Sequence, residues 1–406
     1  MIVMKFGGSA LQTAQGVRDV AAIVQNHLNE RPILVLSAMG NTTDDLISVA
    51  QQRSSLSDVV NYHRAIMEEL DLPETVIESL LDEMASAGKQ SLSHLLSFGE
   101  RLSVRIFSAY LNGQRMEAAY FDGWDAGILS SSDPTRAQIL PDTYERVPRA
   151  LSHMGTCIPV ITGFIAKDKK GCVTTLGRGG SDLTASVVAK ALAATEVQLW
   201  KDVDGILSAD PRFVPDARPI PDLTFFEASE LARYGAKILH PDSIRPAMEA
   251  QIPVRVKNYR NPAHPGTLIG SREGSRGRFL VAIAHTSHQA LVHIDLHEGA
   301  STAPALQVLH ELGVDVVEAN DKGLSVLVEV AVLPSLQERF LSMALVTVEP
   351  ARSCVSLIGS CTGSDVVEAL QHEGVAVLKS FDAKLVVSDD DVKRCVEIIH
   401  RRFCGE

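Results

Sequence analysis

Basic residues are in deficit in this 406-residue chain: 38 lysines and arginines stand against 50 aspartates and glutamates, a net charge of −12, and aromatics make up only 5%. A nucleic-acid surface needs clustered cations, so this balance argues against one. No apolar run approaches the ~20 residues that cross a bilayer, which excludes a membrane-spanning helix. The N-terminus, MIVMKFGG, carries one lysine and then glycines, and does not read as a signal peptide. The six cysteines contain no C-x-x-C pair and the 13 histidines no H-E-x-x-H, so neither a redox pair nor a zinc-protease motif is present. Free thiols in a reducing cytoplasm are the expectation.

What is present is apolar material for more than one core: 45% hydrophobic residues with 22% charged, over a length that predicts two or three domains. Strand-like and helix-like stretches alternate. Residues 2–6 and 33–36 read as strands around an amphipathic helix at 14–29. Residues 57–84 and 90–111 read as helical. Strands at 159–162, 172–176 and 196–200 flank a helix at 182–194. Alternation of this kind predicts a parallel sheet covered by helices. Residues 259–277 are rich in Pro and Gly and mark a domain boundary. Beyond it the elements shorten, and a β-α-β-β pattern occurs twice, as strands at 290–294, 314–318 and 324–330 around a helix at 302–312, then strands at 354–358, 375–378 and 384–387 with helices at 364–372 and 391–403.

Several short motifs could carry chemistry. In KFGGSA, Lys5 and Phe6 precede Gly7 and Gly8. This reverses the P-loop order, in which lysine follows the glycines. In LGRGGSDLTA, glycines lead into a helix that opens with Ser181 and Asp182, a place where backbone N–H groups and the helix dipole favour an anion. Arg178 adds a fork suited to carboxylate or phosphate. The same segment also reads as a tight turn with Asp182 as a helix cap. WKDVDGILSADPR puts Lys201, Asp202 and Asp204 after a strand, where open α/β sheets bind ligands, or forms a charged turn. YGAKILHP adds Lys237, SFGERLSVR adds Glu100, and SAMGNTT supplies Ser37 and Thr43. Taken together, Lys5, Lys201, Lys237 and Arg212 could neutralise phosphates, while Asp182, Asp202 or Asp204 could hold Mg²⁺ or shape its shell. Such a set suits phosphoryl transfer, which needs positioning and charge stabilisation. A carboxylate acceptor, ionised at neutral pH with a reference pKa of about 4, would need no general base.

The ordered set KFGGSA, VLSAMGNTTDDL, FGERLS, TLGRGGSDLTA, WKDVDGILSADPR and YGAKILHP resembles the aspartate kinases of the amino-acid-kinase superfamily, over essentially the whole chain. The resemblance implies an α/β fold: a three-layer α/β/α kinase domain at 1–265, followed by two small α+β ACT-like domains at 278–345 and 346–406. It implies ATP and Mg²⁺ as cofactors and L-aspartate as acceptor. It implies catalytic roles for Lys5 and Asp182, an aspartate pocket of Ser37, Thr43, Glu100, Arg178 and Ser181, and a nucleotide site lined by Lys5, Phe6, Gly7, Gly8, Lys201, Asp202, Leu207, Ser208, Ala209, Asp210, Pro211, Arg212, Lys237 and Ile238. A homodimer through the ACT-like domains, with a possible amino-acid effector, is also implied. Family members commonly carry threonine at position 201 and tyrosine at 207. The D-x-P-G-like loop of family ACT domains is replaced by Asp295-Leu296-His297-Glu298-Gly299-Ala300, and a Ser-Thr-Ser segment is missing around Lys379-Ser380-Phe381, so altered feedback is expected. The competing expectations are a glutamate or acetylglutamate kinase and a non-catalytic amino-acid sensor.

Overall fold

The computed structural model describes residues 1–87, 91–235, 239–270, 279–297, 301–314, 316–320 and 323–404. The chain divides into two compact units. One comprises Met1–Ile206, Pro221–Phe225 and Leu239–Arg272; the other comprises Leu207–Ile220, Phe226–Ile238 and Glu273–Glu406.

The strands of the first unit are β1 (Ile2–Phe6), β2 (Pro32–Leu36), β3 (Ala118–Phe121), β4 (Leu129–Ser130), β5 (Ile158–Thr162), β6 (Ile165–Asp168), β7 (Val173–Thr175), β8 (Glu196–Lys201), β9 (Asp222–Thr224), β10 (Val254–Asn258) and β11 (Thr267–Gly270). Eight of them form one sheet in the order β3-β5-β2-β1-β8-β10-β11-β9, and β4, β6 and β7 form a small second sheet. The run from β3 to β10 is parallel throughout, and β11 turns antiparallel to β10. Strands β1, β2 and β5 are buried at every position, which is why they read as largely apolar runs and not as alternating ones, with Lys5 the one charged residue among them. The helices are α1 (Ala14–Asn26), α2 (Thr42–Ala50), α3 (Leu56–Glu69), α4 (Glu78–Ala87), α5 (Leu92–Gly113), α6 (Thr143–Leu151), α7 (Gly180–Leu192), α8 (Phe225–Arg233, its first residue in this unit) and α9 (Arg245–Glu249). Helices α1 and α3 to α5 close a core over Ile2, Met4, Phe6, Leu34 and Trp200. Helix α7 packs on the sheet through β1, β2 and β8, and against α6 and α9. These are the three expected layers. The predicted helix at 57–84 is broken after Glu69, where Asp71 is left-handed with φ 54° and Pro73 follows.

In the second unit, β12 (Leu280–Leu296), β13 (Val316–Asn320), β14 (Gly323–Glu329), β15 (Ala344–Gly359), β16 (Lys379–Phe381) and β17 (Lys384–Ser388) make one sheet in the order β13-β14-β12-β15-β17-β16. Helices α10 (Thr302–Glu311) and α11 (Leu333–Phe340) cover one core, around Ala290, Val292, Ile294, Leu309, Val326 and Phe340; α12 (Gly363–His372) and α13 (Val392–Phe403) cover another, around Leu280, Ile283, Val355, Leu385 and Ile399. Both long strands serve both cores. The register of β12 slips between Thr286 and Leu291, opposite the change from one core to the other. The modules are therefore nested, with 289–349 inserted between the first strand of the other module and its remainder. Boundaries at 265 and 345 do not describe this arrangement: β11 extends the first sheet to Gly270, and β15 runs unbroken through 345. The sequence pattern missed α11 and the outer half of β15, where Leu345 is exposed and Pro350 sits within the strand. The expected strand at 375–378 falls one step late, at β16.

Phe340 is fully buried in the inserted module. Phe340→Ala is expected to cost about 3–5 kcal/mol, the usual cost of truncating a buried aromatic; urea unfolding followed by circular dichroism checks this.

Candidate active site

Parallel strands place their C-terminal ends on one edge, where their last side chains and the following loops converge. Lys5 is the penultimate residue of β1 and Lys201 is the last of the adjacent β8. The chain turns tightly after Lys5, into a 3₁₀ turn over Gly8–Ala10. A Cβ on Gly8 would lie 2.5 Å from the Ala38 carbonyl oxygen and 2.7 Å from that of Gly40, so only glycine lets this turn rest on the 37–40 loop after β2. The Gly40 N–H donates to the Gly8 carbonyl across that contact at 3.0 Å. The Lys5 ammonium folds over Gly7, 3.7 Å from where its Cβ would be. A lysine ahead of the glycines therefore brings its ammonium back over them.

Helix α7 starts opposite this edge and delivers Asp182 in its first turn. The Lys5 Nζ lies 2.7 Å from Asp182 Oδ1, and the Lys201 Nζ donates to Oδ2 at 2.8 Å. Burial drives the Asp182 carboxyl upward, but the two ammonium groups outweigh it and hold the group well below the ordinary carboxylate range. Burial also lowers the Lys5 ammonium, against the pull of Asp182.

Glu100 comes from the opposite side, on α5. A Cβ on its neighbour Gly99 would lie 2.7 Å from the Ala38 Cβ, so glycine lets the helix press on the 37–40 loop. Glu100 Oε1 then accepts the Ala38 N–H at 3.2 Å, while its buried Oε2 has no hydrogen-bond partner among the described residues. Burial pushes this carboxyl up to about 8, although its own N–H, that of Ala38 and the nearby Lys5 pull the other way. Lys5, Ser37, Thr43, Glu100, Ser181 and Asp182 line one cavity of about 240 Å³, closed by Phe164 and the backbone of Gly177, Gly179 and Gly180. A cavity of about 340 Å³ in the second unit is larger and is lined by Tyr234, Gln289, Val332 and Lys384, among others.

A clamped carboxylate between two ammoniums, beside a buried acid with an open oxygen, is a site for anions and for a cationic group. The amino acid kinase family model matches residues 1–258. Aspartokinase 1 of Arabidopsis thaliana is 35% identical, covering 99% of this chain and 80% of that one. The lysine-sensitive aspartokinase 3 of Escherichia coli is 30% identical over 98% of both chains. The crystal structure of E. coli aspartokinase III in complex with aspartate and ADP superposes with a TM-score of 0.85 at 27% identity, covering 99% of each chain. The chain belongs to the aspartokinase family.

Seen as an aspartokinase site, most of the expected pocket is assembled, and some residues stand elsewhere. Arg178 is exposed: Gly177 and Gly179, both left-handed with φ 73° and 71°, line the cavity with backbone and turn the side chain between them outward. Phe6 is a core residue whose ring stacks on Trp200 at 5.7 Å, leaving only its backbone toward the edge. Of the carboxylates expected near a metal, Asp182 is engaged by lysines, Asp204 Oδ1 accepts from the Asn258 and Asn261 amides at 2.9 and 3.1 Å, and Asp202 is exposed. Leu207, Ser208, Ala209, Asp210, Pro211 and Arg212 belong to the second unit. There Ala209 is packed into the core, Ser208 Oγ lies 2.9 Å from His400 Nε2, and Arg212 pairs with Asp210. Lys237 and Ile238 lie outside the described residues, as do Glu298, Gly299 and Ala300. Phe164 was not expected. Its only trace in sequence is TGF at the end of β5, on the same edge as Lys5, and its left-handed φ of 67° is invisible there.

The raised Glu100 carboxyl has a consequence for stability. A folded-state value of about 8 against an ordinary 4.5 stabilises the fold most below 4.5, and that contribution is lost as pH rises through 8. Glu100→Gln removes the dependence, so the melting temperature of the variant minus that of the parent should increase between pH 5 and pH 8.5. A pH-independent difference in paired thermal melts would contradict this.

Proposed function

We infer that the chain is an ATP-dependent aspartate kinase that moves the γ-phosphoryl group of MgATP to the side-chain carboxylate of L-aspartate, yielding 4-phospho-L-aspartate and ADP. The observation that carries this reading is the convergence of Lys5, Asp182 and Glu100 on one cavity, in a chain whose E. coli relative was solved with aspartate and ADP.

In the reaction a carboxylate oxygen of aspartate forms a bond to the γ-phosphorus as the bond from phosphorus to the bridging oxygen of ADP breaks. Both partners are anionic, so the main task is to offset charge that grows on the leaving oxygen. Lys5 supplies an ammonium there, and Asp182 keeps it protonated and fixed. Asp182 is no base, since both oxygens are held by ammonium groups. None is needed for an acceptor that is already ionised. Mg²⁺ enters with the nucleotide, held mainly by phosphate oxygens and water as is usual for this ion; among the described residues no cluster of three His, Cys, Asp or Glu side chains offers a cage for it. Ser181 and the N-terminal N–H groups of α7 receive substrate carboxylate, with Ser37 and Thr43 alongside, and Arg178 swings inward to a substrate anion. The backbone of Gly7 and Gly8 faces the phosphates. Glu100 receives the α-ammonium through Oε2. This favours aspartate over N-acetylglutamate, which has no ammonium to match a buried carboxylate. The exposed Leu345 and the outer strands of the second unit suit a homodimer through the ACT-like modules.

A coupled ADP assay with hydroxylamine to trap the acyl phosphate should give turnover with aspartate and none with glutamate or N-acetylglutamate; turnover with N-acetylglutamate and none with aspartate would overturn the role of Glu100. Lys5→Ala should cut kcat by a factor of about 10² or more, as loss of a transition-state donor does. Because Glu100 must be ionised to hold an ammonium, KM for aspartate should fall as pH rises from 6.5 to 8.5, and Glu100→Gln should flatten that profile. Light scattering should give a dimer mass. Inhibition curves should show feedback by lysine or threonine weaker than sub-millimolar, given the altered loop at 295–300.

A further inference from the structure

Along β12, Ala290, Val292 and Ile294 point into the core of the inserted module, so Gln289, Leu291 and His293 point to the face without helices. In the other module Val355 and Leu385 fill the core, which turns Cys354 and Lys384 to its own helix-free face. These two faces are brought together. Lys379, on the edge strand β16, pairs with Glu318 on the opposite edge strand β13 and donates to Ser325 Oγ at 3.2 Å. In a flat sheet of six strands those edges would stand about 24 Å apart. The sheet is therefore folded back on itself, and β12 slips its register between Thr286 and Leu291. The cavity of about 340 Å³ lies in that fold, between Gln289 and Leu327 of one face and Cys354 and Lys384 of the other. Tyr234, at the end of α8, borders it: its carbonyl accepts the Thr286 hydroxyl at 3.2 Å and its hydroxyl accepts the Lys384 ammonium at 2.5 Å. Gln289 and Asp295 lie roughly 20 Å apart along β12, so the cavity is at the far end of the inserted module from the 295–300 loop.

Two polar groups in the lining are unmatched. The Lys384 ammonium lies 4.1 Å from the centre of the Tyr234 ring and 5.6 Å from that of Phe381, and among the described residues no carboxylate pairs with it. Gln289 Oε1 is buried without a hydrogen-bond partner among the described residues. The walls are aliphatic, from Val314, Val317, Leu327 and Val332. A cation beside aromatic rings and an aliphatic wall suits a monoanion with an apolar body. A lone neutral acceptor suits a neutral O–H donor. An ammonium there would be desolvated without an anion, because Glu329, the only carboxylate in the described lining, is exposed. We propose that this cleft binds a small aliphatic hydroxy monocarboxylic acid, its carboxylate on Lys384 and its hydroxyl donating to Gln289 Oε1. The cleft shares no residue with the cavity of Lys5, Asp182 and Glu100, and the inference stands apart from the kinase reading.

The test is titration calorimetry on the full chain with 2-hydroxy-4-methylpentanoate as probe. Beside it stand 4-methylpentanoate, which lacks the hydroxyl, leucine, which has an ammonium in its place, and 4-methylpentane-1,2-diol, which lacks the carboxylate. The hydroxy acid should bind once per chain with a Kd at or below about 1 mM, unchanged by saturating aspartate. The other three should bind about 10-fold more weakly or worse, as loss of a buried hydrogen-bond or charge partner does. Lys384→Met should weaken the hydroxy acid by about 10-fold or more. Gln289→Leu should bind the hydroxy acid and 4-methylpentanoate equally, a result that a merely loosened fold would not give. The absence of saturable binding to the parent chain at about 10 mM hydroxy acid would overturn the proposal. So would leucine as the tighter ligand. Parental affinity in both variants, or displacement of the hydroxy acid by aspartate, would place the binding elsewhere and overturn it too.

Discussion

A buried carboxylate that cannot be left alone organises the first unit. Asp182 sits in the first turn of α7, nearly excluded from water, and is tolerable only because Lys5 and Lys201 both meet it. That requirement couples three separate pieces of backbone: the end of β1, the end of β8 and the start of α7. Their parallel register is set by apolar residues far from the edge, from Ile2 opposite Pro32 to Phe6 opposite Trp200. The hydrophobic sheet thus fixes where the charges meet, and the charges fix how α7 closes on the sheet. Glu100 follows the opposite rule. Among the described residues it has no cation at hydrogen-bond distance, and burial pushes its carboxyl up to about 8, which leaves an acceptor open for a ligand that brings a cation.

Much of this was legible before any coordinates. Largely apolar runs at 2–6 and 159–162 read as strands, and the Gly-rich links at their ends point to the functional edge. Lys5 and Asp182 could be picked out because each stands beside glycines at an element end, and Glu100 because FGERLS places it in a helical run beside Gly99. Other features could not be read. The outward turn of Arg178 depends on two left-handed glycines whose sign of φ is not written in the sequence. The bond from Ser208 to His400 joins residues 192 apart and follows from the packing of the second unit. Exposed strands such as the outer half of β15 carry no alternation strong enough to identify them.

The nested modules explain why a repeat was visible and its borders were not. Each module has its own apolar core, so each shows the same periodicity. The two share β12 and β15, however, and neither strand ends where one core gives way to the other: each crosses at a mostly polar stretch, 285–289 in β12 and 349–353 in β15. The register slips there too, near Gln289, beside His288 with its left-handed φ of 58°.

The chain passes between its two units repeatedly, with Leu207–Ile220 and Phe226–Ile238 lent from the middle of the kinase sequence to the second unit. Ala209 and Val214 from the first loan are buried in the core beneath α12 and α13. No single cut can therefore separate the two units. A stop placed after β11 would strand those side chains in water. The two units must be inherited, shuffled and lost together.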